Sequence, residues 1–261
     1  MQRLGIWALV VVGMTTLATA PCSAAFFTTP LGSTADGGHA VSSSAVFTTS
    51  TSDGLTTLTI TLSNNSATLS PGSILTGIGF NVANQNSLTF GSSPNPTTTL
   101  ATGSALFTSD TAHTTSDLTG AYVIAQAPGS TIGGSVPTEY GISAVGGGGS
   151  FNTGSISKGG GGDDYGIVGP GTDLNSKPLS NFTPLVRSID DASPSSVIFT
   201  LTTGTPFSDT NINNVHFLYG SNSESVLGAP VAVPEPASIA LMGIGLVAML
   251  GYGRRRSRRR A

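Results

Sequence analysis

The 261-residue sequence predicts an all-β fold, an antiparallel β-sandwich of jelly-roll-like kind. Three observations predict it. Apolar residues alternate with threonine or serine over short runs, and turn-forming residues separate those runs. Only 9% of the residues are charged, against roughly 25% in an ordinary soluble domain. The charge deficit excludes a typical helical enzyme, whose surface needs Glu, Lys and Arg at helical spacing. A charged disordered chain is excluded too, because such chains combine high net charge with few β-forming residues.

The strands follow in order. Leu55 to Leu62 alternates apolar residues with threonine over its second half, as a half-buried antiparallel strand does, and Asn64-Asn65 ends it. Ile74 to Val82 is a second apolar run, in which Gly77 and Gly79 predict a bulge or close packing. Ser196 to Thr202 alternates through Val197, Phe199 and Leu201, and Asn214 to Tyr219 through Val215, Phe217 and Tyr219. Shorter strands are predicted at 45–49, 88–90, 105–108 and 121–126. Turn chemistry at Ser52-Asp53-Gly54, Ser70-Pro71-Gly72 and Pro128-Gly129 separates them. Residues 140–183 contain the four-glycine runs 146–149 and 159–162, which predict a long, mobile Gly-rich loop. The sandwich domain is thus assigned to 26–220, and the small, partly polar stretch 221–233 reads as a linker.

Residues 1–25 have the build of a secretory signal peptide. Arg3 is the positive start, Leu4 to Leu17 the apolar run, and small residues through Ala24 and Ala25 supply the cleavage site, after one or the other. Cys22 is the single cysteine. Pro21 before it fits lipid attachment badly, since a small residue is expected there. Cleavage after Ala24 leaves a chain without disulfides, a thiol nucleophile or a Cys-based zinc site.

The C-terminus carries three consecutive features. Val233-Pro234-Glu235-Pro236 comes first, then the apolar run 237–253, then Arg254, Arg255, Arg256, Ser257, Arg258, Arg259, Arg260 and Ala261. Seventeen helical residues span about 26 Å, the short limit for crossing a bilayer. They predict a single transmembrane helix with the arginines on the cytoplasmic side and the sandwich outside. Pro236 suits the first helical turn, where its missing N–H is no loss. The two prolines keep the backbone before the helix extended, as a peptidase requires, and Glu235 offers a charge for a recognising cation.

This arrangement resembles the PEP-CTERM sorting signal, over about 28 residues. The resemblance implies that Pro234, Glu235 and Pro236 are recognised by an exosortase, a membrane-embedded cysteine peptidase-like transpeptidase. It further implies that 237–253 spans the membrane and that Arg254 to Arg260 retain the chain there. An exported, inner-membrane-anchored precursor bound for the cell surface or extracellular matrix follows, with exopolysaccharide as a candidate partner. The text from Leu55 to Val82, and the aromatic strand ending at Tyr219-Gly220, are similar to ectodomains of other PEP-CTERM proteins. That second resemblance bears on fold rather than activity.

The formal charge of −3 averages over the two sides of that membrane. Residues 26–233 hold three cations (Lys158, Lys177, Arg187) and twelve acids, a net −9. Such a domain is repelled by nucleic acid and by anionic lipid.

Few residues suggest chemistry. The sequence has no Gly-x-Ser-x-Gly elbow, Walker loop, dinucleotide glycine fingerprint or His-Glu-x-x-His, so a non-enzymatic protein without a cofactor is expected. Gly159 to Ile167 partly resembles a calcium-binding nonapeptide through Asp163 and Asp164. Gly166 stands where that pattern wants an apolar residue, and there is one copy, so a solvated acidic turn is favoured. Asp190-Asp191 is a second acidic pair. The histidines are His39, His113 and His216; if Val215 and Phe217 face the core, His216 faces solvent. Glu139 and Glu224 are the only glutamates outside the terminal signals, a thin basis for glycoside hydrolysis. The alternative function is a glycan- or calcium-binding sandwich, with Tyr122, Tyr140, Tyr165 and Tyr219 as stacking residues. It is weakened by the position of Trp7, which leaves the domain without tryptophan.

Overall fold

A strand that alternates leucine or isoleucine with threonine has one apolar and one hydroxylic face, and it must bury the first. The chain does this by stacking two antiparallel sheets. The computed structural model describes residues 24–232 other than 36, 68–69, 86–87, 91–96, 109–110, 114–117, 119–120, 127–130, 133–135, 145–154, 157–164, 173–184, 191 and 221–223.

The first sheet has six strands in the order Ala229–Val231, Ala24–Thr28, Ser43–Ser52, Leu55–Asn64, Ser195–Thr203 and Thr97–Leu100. The second has five, in the order Tyr122–Gln126, Tyr140–Ala144, Leu75–Val82, Ile212–Tyr219 and Glu224–Leu227. Every pairing within these two sheets is antiparallel. Leu185–Ser188, Ser104–Thr108 and Thr111–His113 form a smaller sheet, which Ile167 stitches to the second by single bridges to Leu75 and Val186. Val136–Pro137, Thr131–Ile132 and Ser155–Ile156 make a short sheet with one parallel pair, and Thr34–Ala35 pairs with His39–Ala40. The fold is all-β. Among the described residues the helices are two 3-10 turns, Pro71–Ser73 and Asp209–Asn211, and none is long and apolar enough to cross a membrane. The transmembrane helix expected at 237–253 lies outside the described residues.

The two sheets share one core. Leu58, Ile60 and Leu62 are fully buried while Thr57, Thr59 and Thr61 between them are half-buried, so the alternation in the sequence is the alternation of faces. Phe47 meets Phe80 edge-on across the sheets with centroids 5.5 Å apart, and Tyr122 meets Phe199 at 5.0 Å. Each such buried side chain contributes about 1.5–3 kcal/mol. On the outer face Thr48, Thr59, Thr200 and Thr97 are aligned across four strands. Those four strands contain no charged residue, which is where the low charge content resides.

Local chemistry fixes the joints. Asp53 and Gly54 both have positive φ (54° and 77°), the two-residue turn that matches strand twist. Gly77 is a close-packing position: a Cβ there would lie 2.2 Å from the Ile142 carbonyl oxygen on the neighbouring strand. Asn64 does more than end its strand. Fully buried, it donates through Nδ2 to the carbonyls of Ser73 (2.9 Å) and Ile167 (2.7 Å), and its Oδ1 accepts the Ser66 N–H at 2.9 Å.

Three expectations are corrected. Tyr140–Ala144, assigned to the start of a mobile loop, is a strand buried at all five positions near the middle of the second sheet. Burial on both faces removes the alternation that would have revealed it. Residues 88–90 are not a strand, although Leu88 and Phe90 are buried; the Leu88 N–H donates to the Tyr140 hydroxyl at 3.0 Å. The stretch 221–233, read as a linker, contributes an edge strand to each main sheet. Ala24 and Ala25, read as the cleavage site, stand at the start of the first described strand, Ala24–Thr28.

Candidate functional site

The first and last described strands of the chain pair with each other. Ala24–Thr28 lies between Ser43–Ser52 and Ala229–Val231, with Phe26 paired to Val46 on one side and Val231 on the other. Phe27 fixes this strand to the core: it is 6% exposed and packs edge-on against Phe47 at 5.7 Å. Beyond it, the Thr29 N–H donates to the Ser43 carbonyl, and the Thr29 hydroxyl accepts the Ser43 N–H, both at 3.0 Å.

The last strand reaches that position from the other sheet. Glu224–Leu227 pairs with Ile212–Tyr219, and the chain then crosses at Gly228 to join Ala24–Thr28. The Gly228 N–H donates to the Val215 carbonyl at 2.8 Å, and a Cβ at Gly228 would lie 2.9 Å from the Phe217 ring. Only glycine fits so tight a crossing without displacing the ring. Pro230 occupies the outer edge of the sheet, where its missing N–H breaks no ladder. Because the pairing is antiparallel, the chain leaves Val231 towards the Ala24 end. Val233, Pro234, Glu235 and Pro236 follow Ala232 in the sequence. The sorting motif, the apolar run and Arg254, Arg255, Arg256, Arg258, Arg259 and Arg260 lie outside the described residues.

The other candidates are dispersed. Tyr122, Tyr140 and Tyr219 are buried, which removes them as exposed stacking residues. Tyr122 donates its hydroxyl to the Tyr165 carbonyl, and Tyr219 donates to the Ser43 hydroxyl at 2.7 Å. Burial raises the pKa of the Tyr122 and Tyr219 phenols and, less strongly, that of Tyr140. Tyr165 is half-buried against the same core.

His216 is not at the surface. A bulge between Asn213 and His216, with Asn214 at φ 48°, shifts the phase of the strand so that 215–219 are all buried. Its Nε2 lies 3.2 Å from the Asn214 Oδ1, and burial lowers its pKa.

Asp163, Asp164 and Asp191 lie outside the described residues. Asp190 caps its own loop. Its Oδ1 accepts from the Ser188 hydroxyl at 2.6 Å and from the N–H groups of Ser193 and Ala192, while Oδ2 accepts the Ser193 hydroxyl. These bonds, that from Ser188 foremost, hold it below the usual carboxylate range. Among the described residues no group of three His, Cys, Asp or Glu side chains is placed to hold a metal.

One buried acid escaped the sequence reasoning. Asp209 is 1% exposed; its Oδ1 accepts from the Ser208 hydroxyl and the Thr210 N–H, while Oδ2 has no hydrogen-bond partner among the described residues. The capping box Ser208 to Asn211 was its available signal.

Residues 232–259 match the PEP-CTERM protein-sorting motif. No similar curated protein and no similar solved structure was found. The motif makes the chain an exported protein, a membrane-anchored precursor sorted for the cell surface by an exosortase-type membrane enzyme.

Proposed function

We propose that the protein is a non-enzymatic component of the cell surface or extracellular matrix, a jelly-roll-like sandwich delivered there through its C-terminal motif. The PEP-CTERM match at residues 232–259 carries this proposal. Two further features support it. The body is uncharged over four adjacent strands of its first sheet and carries no recognisable catalytic motif. Its last strand ends one residue before the motif, so the enzyme meets a folded body at once.

In this scheme Glu235 and the flanking Pro234 and Pro236 are the recognition element, and the arginines hold the chain until it is processed. The test is to change Glu235→Ala and Pro236→Ala together and fractionate the cells. The precursor should accumulate at full length in the membrane fraction. Unchanged processing and unchanged final location would remove the role assigned to these residues.

A further inference from the structure

The last strand and a neighbouring hairpin are matched in reach. Val231 and Val46 are both paired with Phe26, so they stand level on either side of it. Ser43–Ser52 runs on from there towards the Ala24 end, the direction in which Ala229–Val231 also points where it ends. Along one, six steps lead from Val46 to Ser52, which pairs with Leu55 at the mouth of the Asp53-Gly54 turn. Along the other, six steps lead from Val231 to Ala237, where the apolar segment begins. Six extended residues cover about 20 Å on either path. That is the longest the tether can be, since any turn in it draws the body closer. A chain entering the bilayer at Ala237 therefore holds Val231 no more than about 20 Å from the lipid, which is within reach of a hairpin that extends as far beyond the level of Val231.

The chemistry of the hairpin suits that position. Thr51, Ser52, Gly54 and Leu55 are exposed, and Asp53 is its single charge. Leu55 is 52% exposed, one of the few large apolar side chains left open to solvent. Beside it Thr56 pairs with Thr203, placing the exposed and uncharged Gly204 and Thr205 at the same end. Two other exposed apolar residues, Leu31 and Ile189, belong to the opposite pole. Leu31 follows the far end of Ala24–Thr28, and Ile189 precedes the strand whose Ser195 pairs with Asn64.

We propose that the 52–55 hairpin is a lipid-contact element, with Leu55 in the headgroup–acyl boundary of the outer leaflet while the tail anchors the precursor. This rests on the membrane-spanning assignment of 237–253. Hydroxyls of the hairpin replace water at the headgroups, and the apolar side chain enters below them, the division of labour of an interfacial element. The contact is made effective by the tether, which keeps the hairpin at high local concentration next to the membrane.

The test uses residues 25–261, the signal-free precursor, which contains no cysteine. It is reconstituted in vesicles of the zwitterionic lipids phosphatidylethanolamine and phosphatidylcholine containing headgroup spin-labelled lipid. Leu55→Cys, Leu31→Cys and Ile189→Cys variants each carry an environment-sensitive fluorophore. The expected result is loss of emission at position 55 and none at 31 or 189. If the chain fails to float with the vesicles, the membrane anchor is wrong and the lipid contact falls with it. If it floats and position 55 is quenched no more than position 31, the anchor stands and the lipid contact is refuted. A photo-crosslinker at position 55 that captures the sorting enzyme in cells, and not lipid, also overturns the assignment.

Discussion

Replacing Asn64 with alanine removes three buried hydrogen bonds at one point: two from Nδ2 to the Ser73 and Ile167 carbonyls and one from the Ser66 N–H to Oδ1. A buried hydrogen bond contributes about 1 kcal/mol net, so the loss is about 3 kcal/mol. The Ile167 carbonyl keeps the Leu75 N–H, while the Ser66 N–H, in a buried residue, loses its acceptor. Urea unfolding of residues 25–232 measures this directly. With a slope of about 2 kcal/mol per molar, the midpoint should fall by about 1.5 M. Asn65→Ala is the control: its side chain donates to the Ser44 hydroxyl at 3.3 Å, and the change should cost less than about 0.5 kcal/mol. Equal shifts for the two variants would show that the contacts of Asn64 do not hold the strand end to the Ile167 bridge.

Two further outcomes follow from the core. Gly77→Ala forces a methyl group against the Ile142 carbonyl and should destabilise by about 1–3 kcal/mol, seen as a lower thermal midpoint; an unchanged midpoint would place the strands further apart than described. His216 links stability to acid. Its folded pKa lies below the unfolded value of about 6.5, so its contribution is complete above that pH. As pH falls below 6.5 the unfolded chain takes up a proton that the folded chain resists, and stability is lost by at most about 1.4 kcal/mol per pH unit, down to the folded pKa. Comparing unfolding midpoints at pH 7.5 and 5.5 for the parent and His216→Leu tests this, and identical pH dependence in both would refute it.

What the sequence revealed depended on where each strand sits. Leu55–Asn64 and Ser195–Thr203 were legible because one face packs inward and the other meets solvent, so their residues alternate. Tyr140–Ala144 was hidden because neither face is open. Glu224–Leu227 and Ala229–Val231 were hidden because they are short and separated by Gly228, whose meaning lies in a contact with Phe217. His216 was misplaced by one bulge, since a single extra residue reverses which side chains face inward. The sorting motif is a linear pattern and was read directly. The pairing of the strand before it with Ala24–Thr28 was not, because the partners lie about 200 residues apart in the chain.

The pairing of Ala24–Thr28 with Ala229–Val231 also has a mechanical meaning. In a precursor held by its tail, drag on the body reaches the fold at Val231, and the case that matters is a pull along that strand. The ladder hydrogen bonds run perpendicular to that pull, so they are loaded in shear and must yield together. Tension across the strand would instead open them one at a time. The terminal strand is thus a short lap joint, set in the orientation that best resists being drawn out by the anchor it serves.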